Sequence, residues 1–294
     1  MPLLAYLTAI VIWSTTPLVI KLGNDSVTPI TAITLRMVLA VALGFVILAL
    51  MRKAGIFDRR NFKLYIAGSI GIFPNMVMVY YASLYIPSGL LAVLMGLAPF
   101  MTGFVAHFVL GDVFFIRRKI LGQILALSGL VVVYYGQLSL DADSTIGVLL
   151  MLCSTAIFAT SSVFVKKFSM QRSVSSLNQT VGAMLFSLPG LLLSWWLLDG
   201  NTDIVISDTS LWSILYLAIV GSLLGFVVFF YVMKHMSVGL VTLILLITPV
   251  SALILGKTVA DEVISLPIVL GSVLILAGLI MYENIFKLKF SVQE

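Results

Sequence analysis

The sequence predicts an all-α integral membrane protein: ten transmembrane helices formed by two inverted five-helix repeats. Three observations predict it. Charge is scarce, apolar segments of spanning length recur ten times, and the second half of the chain repeats the first. Of 294 residues, 61 % are hydrophobic and only 10 % are charged, with a mean hydropathy of +1.17. A water-soluble chain of this length carries roughly a quarter of its residues as charges. The shortage implies a surface that faces lipid. Uncharged runs such as 64–110 and 120–140 are too long for buried strands or ordinary core helices.

The apolar segments lie at 3–21, 31–51, 64–81, 87–110, 119–137, 145–165, 175–198, 210–233, 238–257 and 264–283. About twenty residues at roughly 1.5 Å each cross a hydrocarbon core of about 30 Å. The first segment has no basic region before it and no cleavage site followed by a soluble domain, so it reads as a retained span. The third and fourth share one continuous apolar stretch and divide at Ile86-Pro87. The seventh and eighth are separated by a polar loop, 199–209, with Gly200, Asn201, Asp203, Ser207 and Asp208. No connection is long enough for an extramembrane domain. The chain divides into a first five-helix repeat, 1–140, a second, 141–285, and a short tail, 286–294.

Charge placement orients the segments. With both termini in the cytoplasm, inside connections hold Arg52, Lys53, Arg59, Arg60 and Lys63, then Arg117, Arg118 and Lys119, then Lys166, Lys167 and Arg172, then Lys234. The tail adds Lys287 and Lys289, making fourteen of the seventeen Lys and Arg residues. Lys21 and Lys257 fall at outer ends, and Arg36 falls within the second span. Asp25, Asp141, Asp143, Asp199, Asp203, Asp208, Asp261 and Glu262 fall outside. Lys/Arg bias in short loops sets orientation. The net charge of +5 therefore reports topology, and nucleic-acid binding is excluded as a reading. Cys153 is the only cysteine, which rules out an internal disulfide and a thiolate metal cluster.

The halves correspond in order. Trp13…Lys21 is echoed by Phe158…Lys166; Gly71 recurs as Gly221; Tyr81, Gly89 and Pro99 recur as Tyr231, Gly239 and Pro249; Gly122 and Gly129 recur as Gly271 and Gly278. The offsets run from 145 to 150. Five spans is an odd number, so the second copy enters the membrane inverted, as the loop charges independently demand. Inverted repeats let two similar halves exchange conformations around a central site.

These features resemble the drug/metabolite transporter superfamily, and within it the EamA-like ten-span bacterial permeases. The resemblance covers the whole chain and rests on the order of Trp13…Pro17…Lys21, Arg36, Gly89…Pro99 with Gly239…Pro249, and the glycine pairs that close each unit. The second opening motif departs from the pattern, with Phe158 for tryptophan and Ser162 for proline, and Arg36 has no counterpart. The resemblance implies a carrier with a central cavity built by both halves. It implies a secondary transporter moving a small polar metabolite, an amino acid or related compound, by efflux or exchange across a bacterial-type inner membrane through alternating access. The competing reading is a non-selective channel or a structural membrane protein. No enzyme chemistry, cofactor or metal is expected: there is no Walker A motif, dinucleotide loop or zinc-spaced His/Cys set. Expected partners are a small-molecule substrate and membrane lipid, with the chain as a monomer or homodimer.

Nine residues are candidates for the substrate path or its gates: Trp13, Thr16, Pro17, Arg36, Asn75, Tyr81, Pro99, Gln179 and Pro249. A charge within a span is costly and faces protein or a water-filled cavity unless it snorkels, so Arg36 either meets substrate or reaches headgroups or Asp25. Trp13 and Thr16 sit at mid-span beside Pro17, which removes a backbone donor. Asn75 and Gln179 carry amides that need partners away from water, in the path or as glue between helices. Tyr81 fits an interfacial aromatic belt or a gate. Pro99 and Pro249 offer equivalent kinks. No Asp or Glu lies near the centre of any span, so a carboxylate proton relay is not expected.

Overall fold

Helix starts are written in the residues before them. Thr28, Ser175 and Ser207 each turn a side-chain oxygen back to accept the backbone N–H three residues on, capping the helices that begin at Pro29, Ser176 and Asp208. Pro29 takes the first helical position, where its missing N–H costs nothing. The structure, a computed structural model, describes residues 2–52, 56–111, 116–138, 143–169, 174–201, 203–235 and 238–283.

In chain order the helices are α1 (Pro2–Gly23), α2 (Pro29–Leu50), α3 (Phe62–Ile70), α4 (Asn75–Ala82), α5 (Ser88–Met95), α6 (Ala98–Leu110), α7 (Arg117–Leu138), α8 (Asp143–Ser169), α9 (Ser176–Leu198), α10 (Asp208–Tyr216), α11 (Gly225–His235), α12 (Val238–Val259) and α13 (Leu266–Glu283). A 3-10 turn, Arg59–Asn61, leads into α3, and a π-helical stretch, Leu217–Leu224, joins α10 to α11. No strand occurs among the described residues. Among the described residues, seven segments are long and apolar enough to cross a membrane: Leu3–Gly23, Pro29–Leu50, Arg59–Ala82, Ser88–Leu110, Asp143–Ser169, Ser176–Leu198 and Asp208–Val232; Leu266–Tyr282 is a shorter apolar helix. Large apolar side chains lie exposed on them, among them Leu4, Val11, Phe108, Leu193, Trp196 and Trp212. In water such a surface would aggregate; in lipid it is solvated.

Three segments are irregular where the repeat places its special residues. The third is interrupted between α3 and α4 around Gly71, and the eighth carries its π-helical stretch around Gly221, the equivalent position. The fourth is interrupted between α5 and α6, with Pro99 in the first turn of α6, whereas α12 runs continuously through Pro249. The equivalent prolines therefore act differently: Pro99 starts a helix and Pro249 sits within one.

Contacts between helices pair the two halves. α7 packs along α13, α2 along α9, α1 along α12, and α8 along α6 and α4. A Cβ on Gly122 would lie 2.7 Å from the Gly278 carbonyl, and one on Gly129 would lie 2.6 Å from that of Gly271. The rising numbers on α7 meet falling numbers on α13, so the two helices are antiparallel. Without side chains at these four positions the backbones touch, which is how helices associate where burial against lipid gives no hydrophobic drive. At the α2–α9 crossing, the bare Gly44 backbone instead receives the Val181 side chain. The main core runs between the halves and includes Ile33, Met37, Tyr80, Leu91, Met151 and Met184.

Candidate functional site

A cavity lies between the halves, lined from α1, α2, α4, α5, α8, the π-helical stretch, α11 and α12. It is the space that the broken helices leave. Pro17 interrupts the α1 backbone ladder beside it, and Gly96, in the α5–α6 break, forms part of its wall. Thr16 bonds the backbone of its own helix, its hydroxyl donating to the Ile12 carbonyl at 2.6 Å. Thr248 does the same on α12, donating to Ile244 O at 2.7 Å. Trp13 stands against Phe229 with ring centroids 5.0 Å apart and meets Phe158 edge-on at 6.4 Å. Trp13 and Phe158 are equivalent in the repeat, so the halves meet ring to ring here. A smaller cavity, lined by Gly71, Ser161 and Phe230 among others, shares Phe158 and Phe226 with the larger one. These two rings separate the spaces.

Arg36 is the charged residue on the cavity wall, and it is completely buried. Its Nε donates to Ser222 Oγ at 2.7 Å and its Nη1 to the Tyr80 hydroxyl at 3.3 Å. The guanidinium carbon lies 5.9 Å from the Tyr80 ring centroid. Its Nη2 has no hydrogen-bond partner. Neither snorkelling nor pairing with Asp25 occurs: Asp25 instead accepts from Ser207 Oγ at 2.8 Å. The start of α2, about two turns before Arg36, is anchored to the end of α9 because Thr28 and Thr31 both donate to Asp199. Those two bonds, Thr28 first, hold the Asp199 carboxyl below its ordinary range.

Of the nine sequence candidates, Trp13, Thr16, Pro17, Arg36 and Pro249 line the cavity. Asn75 does not. Its Nδ2 donates to the Gly71 carbonyl at 2.8 Å and its Oδ1 accepts from Ser154 at 2.6 Å, joining the α3–α4 break to α8. Gln179 is buried within α9, Tyr81 is half-buried, and Pro99 is buried at the start of α6; none of the three is on the cavity wall. Sequence reasoning missed Ser222 and Tyr80, which hold Arg36, and Thr248 and Phe226, which line the cavity. Two further wall residues outside the candidates, Gly221, the partner of Gly71 in the repeat, and Phe158, the echo of Trp13, carried a signal.

It also missed Glu262. By sequence one of the outer loop acids, Glu262 is buried, and its carboxylate gathers three elements. It meets Lys21 Nζ of α1 at 2.9 Å, and accepts from the Ser88 backbone N–H at 3.0 Å and the Ser88 hydroxyl at 2.9 Å at the start of α5. Burial alone would raise this carboxyl, but the bonds from Lys21 and Ser88 outweigh it and hold it below the ordinary value. Lys21 follows the cavity residue Ile20, and Ser88 precedes Leu91 by one turn, so this knot sits at one end of the cavity.

A multi-pass helical membrane protein whose halves enclose a cavity is a membrane-transporter architecture, and similarity to known proteins agrees. The EamA-like transporter family matches residues 1–135 and 145–283, and the chain belongs to it. It is 24 % identical over 282 residues to the "Uncharacterized transporter YoaV" of Bacillus subtilis, covering 95 % of both chains. It is 27 % identical over 288 residues to a "Probable amino-acid metabolite efflux pump" of Salmonella typhimurium, covering 95 % of this chain and 93 % of that one. A similarly named Escherichia coli protein is 25 % identical over 293 residues, with 97 % and 94 % covered. A solved crystal structure superposes with a TM-score of 0.67 at 20 % identity, covering 95 % of this chain and 94 % of that chain. That likeness speaks to the fold alone.

Proposed function

We propose that the chain is a secondary transporter that carries a small polar metabolite, an amino acid or related compound, by efflux or exchange across a bacterial-type inner membrane. It crosses the membrane ten times, both termini cytoplasmic, as two inverted five-helix repeats that give alternating access to the central cavity. The observation that carries this reading is a cavity lined from both halves with a buried, incompletely bonded arginine in its wall. The antiparallel α7–α13 contact through equivalent glycines supports the inverted relation, because helices related by a two-fold axis in the membrane plane run in opposite directions. Two efflux pumps among the relatives support the direction and the substrate class.

The mechanism follows from the closures at the two ends of the cavity. The Lys21–Glu262–Ser88 knot ties α1 and α5 together at one end. Phe158 and Phe226 stand between the larger and smaller cavities at the other. Opening one while the other stays shut moves a bound solute without a continuous pore. The test is counterflow: purified protein in liposomes preloaded with unlabelled amino acids and related acids, with labelled solute added outside. Saturable uptake accelerated by the internal pool is the expected result. Linear, unselective leakage would identify a channel instead.

A further inference from the structure

The cavity is electrostatically one-sided. Among its described lining residues Arg36 is the sole formal charge, and no carboxylate is present. The ion pairs among the described residues, Lys21–Glu262 and Arg60–Asp58, leave Arg36 out. A guanidinium offers five N–H donors in a planar fork suited to a carboxylate. Here Nε and one Nη1 hydrogen are used, and Nη2 is not. Nη2 lies beside Gly221, where a Cβ would sit 3.4 Å from it, and Gly221 is itself on the cavity wall. Nη2 is itself buried, so a bound anion meets it only after a small shift of the groups around it, with no side chain at Gly221 to move. Burying a cation without a counter-ion is costly, and a bound anion removes that cost.

The hydroxyls on the wall add a second constraint. Thr16 and Thr248 each commit their proton to their own helix backbone, so both face the cavity as acceptors. The remaining surface is apolar and aromatic, including Trp13, Met76, Met95 and Phe158.

We propose that this cavity selects an organic monoanion over a zwitterion: a carboxylate on Arg36, an apolar body against the aromatic wall, and a neutral donor such as a hydroxyl or acylated amine toward Thr16 or Thr248. The inference rests on the transporter reading and names its substrate class. A zwitterionic amino acid satisfies the carboxylate but brings an ammonium into a space that already holds an unneutralised cation and no acid. Its 2-hydroxy or N-acyl analogue keeps the carboxylate and replaces the ammonium by an uncharged donor. A net negative ligand neutralises the cavity, whereas a zwitterion leaves it positive.

Isosteric pairs test this whatever the natural substrate is. Equilibrium binding to purified protein in lipid nanodiscs at pH 7 compares L-3-phenyllactate with L-phenylalanine, and 2-hydroxyhexanoate with norleucine, with 2-phenylethylamine as the cation. Counterflow of the same compounds is measured in liposomes from the same preparation. Each hydroxy acid should bind about tenfold or more tightly than its amino acid, the energy of one poorly compensated charge. The amine should not compete. Gly221→Ala, which crowds only Nη2 and the tip of Leu217, should weaken hydroxy-acid binding at unchanged thermal stability. Arg36→Gln should erase the preference. Equal or tighter binding of the amino acids overturns the proposal, as does failure of folded wild-type protein to bind either hydroxy acid. Saturable counterflow of another solute without anion binding would sink this inference and leave the transporter standing. Anion binding without flux of anything would do the reverse.

Discussion

Replacing Glu262 by alanine should destabilise the protein by about 2–4 kcal/mol. The figure follows from what its carboxylate holds. Lys21 is 38 % exposed at its side chain, so its ion pair is screened and contributes no more than about 1 kcal/mol. Ser88 is fully buried, and its N–H would lose its side-chain acceptor at the start of α5. An unsatisfied buried donor of that kind costs about 1–3 kcal/mol. Glu262→Gln keeps an oxygen for Ser88 and loses only the ion pair, so it should cost about 1 kcal/mol or less. The assay is thermal unfolding in nanodiscs, read as the order wild type, Gln, Ala, because membrane proteins unfold irreversibly and the midpoint is partly a rate. The pH dependence supplies the sign. The Glu262 carboxyl is held below its ordinary value of 4.5, so its contribution is complete above that pH and is lost as pH falls through the lowered value. Wild type should therefore lose this part of its stability below pH 4.5, and Glu262→Gln should lack that acid limb. An alanine variant as stable as wild type would refute the reasoning, as would an acid limb unchanged in the glutamine variant.

Three other perturbations separate packing from path. Gly129→Leu puts a side chain where even a Cβ would meet the Gly271 carbonyl at 2.6 Å, so α7 and α13 must part; size-exclusion chromatography should show lost or aggregated protein. Asn75→Ala strands the Gly71 carbonyl and the Ser154 hydroxyl and should cost about 1–3 kcal/mol with little change in substrate affinity, since Asn75 is off the cavity wall. Phe158→Ala should join the two cavities and add a non-saturable leak to counterflow, whereas a purely structural ring would lower stability with no leak.

What the sequence makes legible is what the bilayer and the duplication dictate. Hydrocarbon thickness fixes segment length, and among the described residues seven of the segments meet helices long and apolar enough to span, with the last a shorter apolar helix. Arg36 is visible because an arginine inside a span is rare enough to ask for a reason. The glycines at 122, 129, 271 and 278 are visible because they recur at one offset, and they do pack against one another. Three-dimensional partnership is not legible. Asn75 and Gln179 look alike in sequence as amides within spans, and nothing local says that neither reaches the cavity. Glu262 counts with the outer acids because charge placement reports which side a loop lies on, not whether it folds back. Here the Glu262 N–H returns to the Gly256 carbonyl after Asp261 adopts a positive φ of 48°, and the carboxylate is carried inward onto Ser88.

The duplication also explains where the site lies. Positions at which the copies agree, the paired glycines of α7 and α13, serve contacts that a two-fold relation can satisfy twice with one solution. Positions at which they disagree gather around the cavity. Trp13 faces Phe158, Pro17 corresponds to Ser162, α12 runs through Pro249 where the first half breaks before Pro99, and Arg36 has no partner in the second copy. A solute with a distinct head and tail is not two-fold symmetric, so a cavity that orients one cannot be symmetric either. On the proposed transporter reading, divergence between otherwise matching repeats is expected at the surface that meets substrate. If the cavity takes the organic anion proposed above, the single guanidinium on the α2 side is where its negative end belongs.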